Sequence, residues 1–506
     1  MKVTKNTYIA VFTSMTLLLA SSALAKEAPT PKYSAKVPQN ILTPDKVKTK
    51  FLGDLEFFDG MPSDATVKKA YDFLDLSRGV DTFLNGMPAT SIYAVLEGFK
   101  EAGLKSGDVG IFEDLMDARS LFLTANSTTP YMFGEIDLKS GPVVVDIRVP
   151  VLGMVEDAFF RFVTDIGLTG PDQGKGGKYL FVGPDYKGKI PDGYIVIKSS
   201  TYRHWLFMRI FAQPDKLKEA AEGFKKGFNC YPLALADNPP KQKFLNLSGK
   251  QFSTIHANDR HYYDELNAVI QYEPADAFNP ELVGLFASIG IKKGKPFSPD
   301  ARMKEILDEA AAIGNASART LGLRSRNRAV YFYPDRQWFS PFAGGSHEFM
   351  NKGELVLDDR IAFHYGATGI TPSMAMPKVG TGSVYQVTSI DSSRQYLDGG
   401  KTYSITLPGP VPAKNFWSFM VYSPQHRSML ETDQKFAGLD SNNPSVKPNK
   451  DGSYTIWFGP KAPKGHEGNW IQTISDKSYF TIFRIYGPLQ PWFEKSWKPG
   501  DFELVK

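Results

Sequence analysis

Two hydrophobic periods alternate along the chain and divide it into segments. A polar, proline-containing stretch over residues 26–62 reads as an extended leader. Asp64 then stands where it caps a helix that places Val67, Ala70, Tyr71 and Leu74 on one face. A second helix is predicted from about Pro88, with Ile92, Val95, Leu96 and Phe99 inward and a stop near Gly103. From residue 121 to 200 the period shortens. Segments 143–149, 158–164, 179–182 and 194–198 read as strands, cut by turn formers such as Gly183-Pro184 and Pro191-Asp192-Gly193. Strands this short are expected to pack as a small sandwich. Residues 202–325 return to helical spacing, with helices predicted at 216–228, 260–271, 280–289 and 299–321. From about residue 331 the chain is again strands and turns, with strands at 384–390, 402–406, 416–422, 454–458 and 479–486.

The first 25 residues change the compartment. Lys2 and Lys5 precede an apolar run over residues 8–20, and Ala23 and Ala25 complete a small-residue cleavage site. This is the pattern of a secretory signal peptide, and the apolar run is too short for an ordinary membrane span. The expected product begins at Lys26, is periplasmic or secreted, and keeps no membrane span. What remains suffices for about three domains of ordinary size. The divisions expected are a leader at 26–62, a helical hairpin plus β-sandwich at 63–201, a helical segment at 202–330 and a second sandwich at 331–506.

Composition supports a mainly β chain with a helical middle segment. Aromatic residues reach 13%, and 44 glycines and 35 prolines supply the turns that antiparallel sheets need. Cys230 is the only cysteine. It therefore forms no intrachain disulfide, and between Phe228 and Tyr231 it reads as a buried free thiol. The net charge of +5 is spread among interleaved acids, so no nucleic-acid footprint is present. The tightest basic cluster, Arg319, Arg324, Arg326 and Arg328, reads as a solvated helix end or strand face.

The usual catalytic signatures are missing: no G-x-S-x-G elbow, no Walker loop, no H-E-x-x-H and no EF-hand loop. The Gly174-Lys175-Gly176-Gly177-Lys178 cluster has no helix behind it and reads as a surface turn. His256 and His261 lie five apart, on different faces of a helix, so no metal and no cofactor are expected. Two polar and aromatic runs carry more information. One is Asn126-Ser127-Thr128-Thr129-Pro130-Tyr131. The other comprises Phe416-Trp417-Ser418, Asp451-Gly452-Ser453, Asn469-Trp470 and Arg484-Ile485-Tyr486-Gly487-Pro488.

These runs resemble the bacterial proteins that pair domain of unknown function 1254 with domain of unknown function 1214. The first likeness covers about 91–225 through Asn126, Pro130-Tyr131, Asp137-Leu138, Arg161-Phe162, Asp165, Tyr179-Leu180 and Arg209. The second covers about 370–490 through Leu397-Asp398-Gly399, Phe416-Trp417-Ser418, Asn469-Trp470 and Arg484-Ile485-Tyr486. The resemblance implies an immunoglobulin-like sandwich, a helical middle and a jelly-roll-like sandwich, and implies no agreed activity. One departure stands out. Many relatives carry Asn-x-Asp-Thr where this chain reads Asn126-Ser127-Thr128-Thr129, so if that acid is a catalytic group or ligand in the family, this member lacks it.

Two functions are carried forward. One is an envelope or secreted binding or scaffold protein for a small or carbohydrate-like ligand, with Asn126, Trp417, Trp470 and Tyr486 as candidate contacts and the aromatics set in exposed turns. The other is a secreted hydrolase or lyase at the junction of the two sandwiches, with Asp137, Arg161, Asp165, His364 and Arg484 as candidate catalytic groups. A cleft holding at least two of these five favours the enzyme. A homo-oligomer stays open. For Arg484, strand alternation predicts a face shared with Ile482 and Tyr486 and a fixed partner, Asp398 or Asp451 or a carbonyl, bracing strand to turn.

Overall fold

The computed structural model describes residues 32–213 and 215–505, so the predicted signal peptide, residues 1–25, lies outside the described residues. Two compact units divide the chain, one through Ala70 and one from Tyr71 onward. In the first, the stretch expected to be extended folds into a small antiparallel sheet of Lys46–Thr49, Gly53–Phe58 and Met61–Pro62. The helix that follows is capped by Ser63, whose Oγ accepts the Thr66 N–H at 3.3 Å, rather than by Asp64.

The two predicted helices are one. Helix α1 runs Asp64–Glu101 with Pro88 inside it. An interior proline costs a helix about 3 kcal/mol. Phe83, Met87, Val95, Leu96 and Phe99, all buried on the flanking turns, offset this at roughly 1.5–3 kcal/mol each. Tyr71 and Leu74, on the shared apolar face of the first predicted helix, are exposed.

Two sheets follow. One orders six strands as Phe244–Asn246, Val109–Ile111, Tyr131–Asp137, Arg203–Ile210, Val151–Asp157 and Phe162–Gly167. The other orders Ile195–Lys198, Gly177–Val182, Val143–Ile147 and Phe228–Pro232. One apolar cluster draws on both, through Met132, Ile136, Leu206 and Met208 of the first and Val145, Ile147 and Phe181 of the second. The strands at 203–210 and 228–232 fall in the stretch expected to be helical. Cys230 sits on the second of them and is half-buried rather than buried. Its thiol is pushed up to about 12 by desolvation.

The helices α2 (Leu217–Lys226), α3 (His261–Tyr272), α4 (Pro280–Ser288) and α5 (Ala301–Leu323) lie close to their predicted positions. A further helix, α6 (Leu357–Gly366), interrupts the region expected to be strands and turns. The last sheets order Ser383–Thr388, Phe480–Pro488, Ala413–Tyr422 and Gly438–Asp440, and separately Trp470–Gln472, Tyr454–Gly459, Tyr403–Leu407 and Glu503–Leu504. The chain is thus rich in sheet with substantial helix. No helix among the described residues is long and apolar enough to cross a membrane.

One strand positions the site. Along Arg203–Ile210, Leu206, Met208 and Ile210 enter the cluster between the first two sheets, while Trp205 and Phe207 join the cluster of the C-terminal half. Arg209 follows Trp205 and Phe207 on that second face.

Candidate functional site

Where that outer face meets the C-terminal half lies a cavity of about 140 Å³. Its apolar walls include Phe122, Met154, Trp205, Phe339, Phe363 and Phe480, and three arginines, Arg209, Arg427 and Arg484, line it as well. For Arg209 and Arg484 this follows from pleat geometry. Arg209 pairs across the ladder with Tyr131, and Arg484 pairs with Tyr385 on one side and Ser418 on the other. Arg427 sits in a turn at φ 58°.

Arg484 is 3% exposed. Its Nη2 donates to the Thr124 carbonyl at 2.9 Å, while Nε and Nη1 are buried without a partner. Its guanidinium lies 5.7 Å from the Tyr385 ring centre and 5.8 Å from that of Tyr422. Burial alone would pull its pKa down, and the surrounding tyrosine oxygens outweigh that and hold it up. The same balance holds Arg209 charged, with Tyr385, Tyr131 and Tyr486 as its neighbours. Arg427, 2% exposed, donates to the carbonyls of Tyr365 at 3.1 Å and Gln425 at 3.0 Å and leaves Nη2 unpaired. Desolvation lowers it to about 10.

Among the described residues no carboxylate forms an ion pair with any of the three. The carboxyl on the wall, Asp359, accepts from Asn327 at 2.9 Å and is raised by burial. Position 128, where the resemblance leads one to expect an acid, carries a threonine. Its hydroxyl donates to Asn126 Oδ1 at 2.8 Å and lies 3.3 Å from the Tyr486 hydroxyl. Asn126 Nδ2 donates to the same hydroxyl at 3.2 Å.

A second cavity of about 450 Å³ lies on another side of α6. Asp359, Ala362, Phe363 and Gly366 of that helix line the first cavity, and Arg360 and His364 line the second. Arg161 also lines it, with Nε donating to Asp157 at 2.6 Å and Nη2 to Ser200 Oγ at 3.2 Å.

The predicted site residues therefore separate. Asn126 and Arg484 meet at the first cavity, and Arg161 and His364 at the second. Asp137 lies elsewhere, bonded to the Tyr272 hydroxyl at 2.5 Å and the Lys139 N–H at 3.0 Å. Asp165 is buried, raised by desolvation, and lines neither cavity. Trp417 and Tyr486, expected in exposed turns, are buried on strands at 3% and 7% exposure. Trp470 is half-buried, and its Nε1 donates to the Gly459 carbonyl at 2.9 Å. Asp398 and Asp451 are not partners of Arg484. Asp398 pairs with Lys401, and Asp451 accepts from Ser453.

Three groups were not singled out from sequence: Arg427, Arg360 and a serine–histidine pair in which His204 is buried and Ser199 half-buried. In that pair His204 Nε2 lies 2.7 Å from Ser199 Oγ, and its Nδ1 lies 3.2 Å from the Tyr202 carbonyl. The sequence offered no signal for the two arginines, since Arg427 stands among Gln425, His426 and Ser428 and Arg360 follows Asp358 and Asp359.

Residues 107–232 match the protein family of unknown function DUF1254, and residues 382–490 match DUF1214. No curated protein matches the sequence. The crystal structure of the VPA0106 protein from Vibrio parahaemolyticus superposes with a TM-score of 0.53 at 17% identity, covering 85% of this chain and 100% of that one. An uncharacterised protein from Burkholderia cenocepacia gives a TM-score of 0.37 at 12% identity, covering 86% and 96%. The polar wall of the first cavity takes Asn126, Tyr131 and Arg209 from one matched region and Tyr385, Arg427 and Arg484 from the other. The chain pairs a DUF1254 region with a DUF1214 region, in that order.

Proposed function

We propose that the chain is a binding protein that takes a small anion with an apolar body, an aryl or short alkyl carboxylate, into the cavity between its two matched regions. The observation that carries this reading is Arg484, nearly fully buried with two unpaired nitrogens on an apolar cavity. A buried guanidinium lacking an anion is costly, and a ligand carboxylate would satisfy it with charge-assisted hydrogen bonds. The volume, about 140 Å³, is close to that of a cavity that accepts a benzene ring. Calorimetric titration with linear carboxylates from butyrate to decanoate tests the reading. Affinity is expected to rise about fourfold per methylene, at roughly 0.8 kcal/mol each, until the cavity fills. The alcohol of equal length is expected to bind at least tenfold more weakly. Equal binding of alcohol and acid would overturn the proposal.

Export belongs to the same reading, on the strength of residues 1–25. N-terminal sequencing of exported material is expected to begin at Lys26. A start at Met1 would refute it.

A hydrolase is the second reading. It is favoured by the meeting of Arg161 and His364 at the second cavity and by the Ser199–His204 pair, since Ser199 also lines that cavity. With Nδ1–H directed at the Tyr202 carbonyl, Nε2 is the acceptor for the serine proton, the tautomer a general base needs. Treatment with a fluorophosphonate, followed by peptide mapping, separates the readings. Modification at Ser199 supports the hydrolase, and an unmodified Ser199 leaves the binding protein.

A further inference from the structure

We infer that the second cavity is an oxyanion site, with Arg360 and His364 at its floor and Arg161 at its rim, sized for a phosphate-like group. The inference is independent of the carboxylate cavity, from which α6 separates it.

The floor is built and incomplete. Arg360 donates through Nη2 to Asn85 Oδ1 at 2.8 Å, and its Nε is buried with no partner. No carboxylate among the described residues pairs with it. Asn85 is a neutral acceptor, so the guanidinium keeps its full charge at the cavity wall. His364 is 3% exposed, and its Nδ1 is likewise buried without a partner. Rings of Phe160, Phe349 and Phe363 surround the imidazole at 5.2, 5.5 and 5.2 Å between centres, which fixes its orientation. Burial and the facing Arg360 keep it neutral, so it offers a ring N–H without adding charge.

The acids at the cavity do not cancel this. Asp157 is already engaged by Arg161 Nε and by the backbone N–H groups of Phe159 at 2.8 Å and Arg161 at 3.0 Å. Glu348 is exposed at the margin. Lys198 adds a third cation, and the Ser199 and Ser200 loop borders the same space. The unpaired Arg360 Nε, the end of the Arg161 guanidinium not committed to Asp157 and Ser200, the imidazole N–H and the Ser200 hydroxyl proton form a donor set suited to a tetrahedral oxyanion. A phosphate group, free or carried on a larger molecule, fits that set. A planar carboxylate would leave part of it unpaired.

The test uses the full chain and inorganic phosphate, with sulfate as a second tetrahedral anion and sodium chloride at matched ionic strength as control. A saturable rise in melting temperature with phosphate and sulfate, absent with chloride, is expected. Arg360→Met should weaken the phosphate dissociation constant at least tenfold. Should that variant fail to fold, Arg161→Gln, at a more exposed side chain, is expected to weaken it at least threefold. Arg484→Met, in the other cavity, should leave it unchanged. No saturable response beyond chloride, or a response that survives the foldable arginine variants at this cavity, would overturn the site. A response lost in Arg484→Met alone would overturn it too, by assigning the anion to the first cavity. Comparing free phosphate with a phosphomonoester of a small alcohol then distinguishes a free ion from a phosphorylated ligand.

Discussion

Replacing Arg484 with methionine is expected to leave the melting temperature unchanged or raise it by a few degrees, while weakening carboxylate binding about a hundredfold. The two effects share one cause. The guanidinium makes one hydrogen bond to protein, to the Thr124 carbonyl, and leaves Nε and Nη1 unpaired inside the fold. Removing it forfeits that bond and the contacts with the Tyr385 and Tyr422 rings. The Tyr422 hydroxyl, which donates to the Ala125 carbonyl at 2.6 Å, also lies 3.3 Å from the Thr124 carbonyl, so that carbonyl keeps a shared donor. Against this small loss stands relief of an uncompensated buried charge, and apolar residues of similar volume in place of buried ions are often neutral or stabilising by about 1–4 kcal/mol. For the ligand, losing a charge-assisted pair of hydrogen bonds costs about 3 kcal/mol, or roughly a hundredfold in affinity. Thermal melts and calorimetry on the same preparation check both halves. A melting temperature about ten degrees lower with carboxylate binding intact would make Arg484 a brace between strand and turn.

The Arg484 strand also shows how far sequence reaches. Alternation placed Phe483 and Ile485 on one face and Arg484 with Ile482 on the other. In the structure Phe483 and Ile485 enter the core while Ile482 and Arg484 line the cavity. Alternation reports faces, and it is silent on which distant segment covers them. The partner is the carbonyl of a residue 360 positions away, so the nearby turn acids Asp398 and Asp451 were the wrong place to look.

The strand Arg203–Ile210 was missed for a related reason. It is covered on both sides, by the sheet cluster and by the C-terminal half, so its sequence is apolar on both faces and shows no period of two. Pro88 misled in the opposite direction. A local breaker signal was overridden by burial on the turns around it. The candidate site follows the same logic. Asn126 and Arg484 were legible as unusual polar residues, each within one matched region. Arg209 and Arg427 gain meaning only when the two regions meet, because what marks them is the missing carboxylate, a property of the assembled cavity.

A second large effect is expected in the pH dependence of stability. His256 and His364 are both buried, and desolvation lowers each to about 3. His256 directs Nδ1 at the Ala257 carbonyl at 2.8 Å, and its buried Nε2 has no partner and lies under the influence of Arg427. An unfolded chain protonates both near pH 6.5, whereas the folded chain does not until about pH 3. Between those values the unfolded state binds more protons, so stability falls as the pH falls. Two glutamates act in the other direction. Desolvation raises Glu265 to about 8 and Glu273 to about 7, against the backbone N–H groups that each accepts. They hold protons in the folded state that the unfolded state has released above about pH 4.5, so their contribution falls as the pH rises. From pH 4.5 to 6.5 the two pairs oppose each other. Below pH 4.5 these glutamates are protonated in both states, so of these four groups only the histidines still differ between the states, at about 1.4 kcal/mol per pH unit each. His256→Phe keeps a ring among Phe83, Tyr262 and Tyr365 and removes one titrating group. Its unfolding free energy from denaturant melts at pH 3.5, 4.0 and 4.5 should therefore fall less steeply than the wild type's, by about 1.4 kcal/mol per pH unit. The slope is the readout, because the lost hydrogen bond to Ala257 shifts the variant equally at every pH. Parallel slopes for the two proteins would mean that His256 is protonated within the fold.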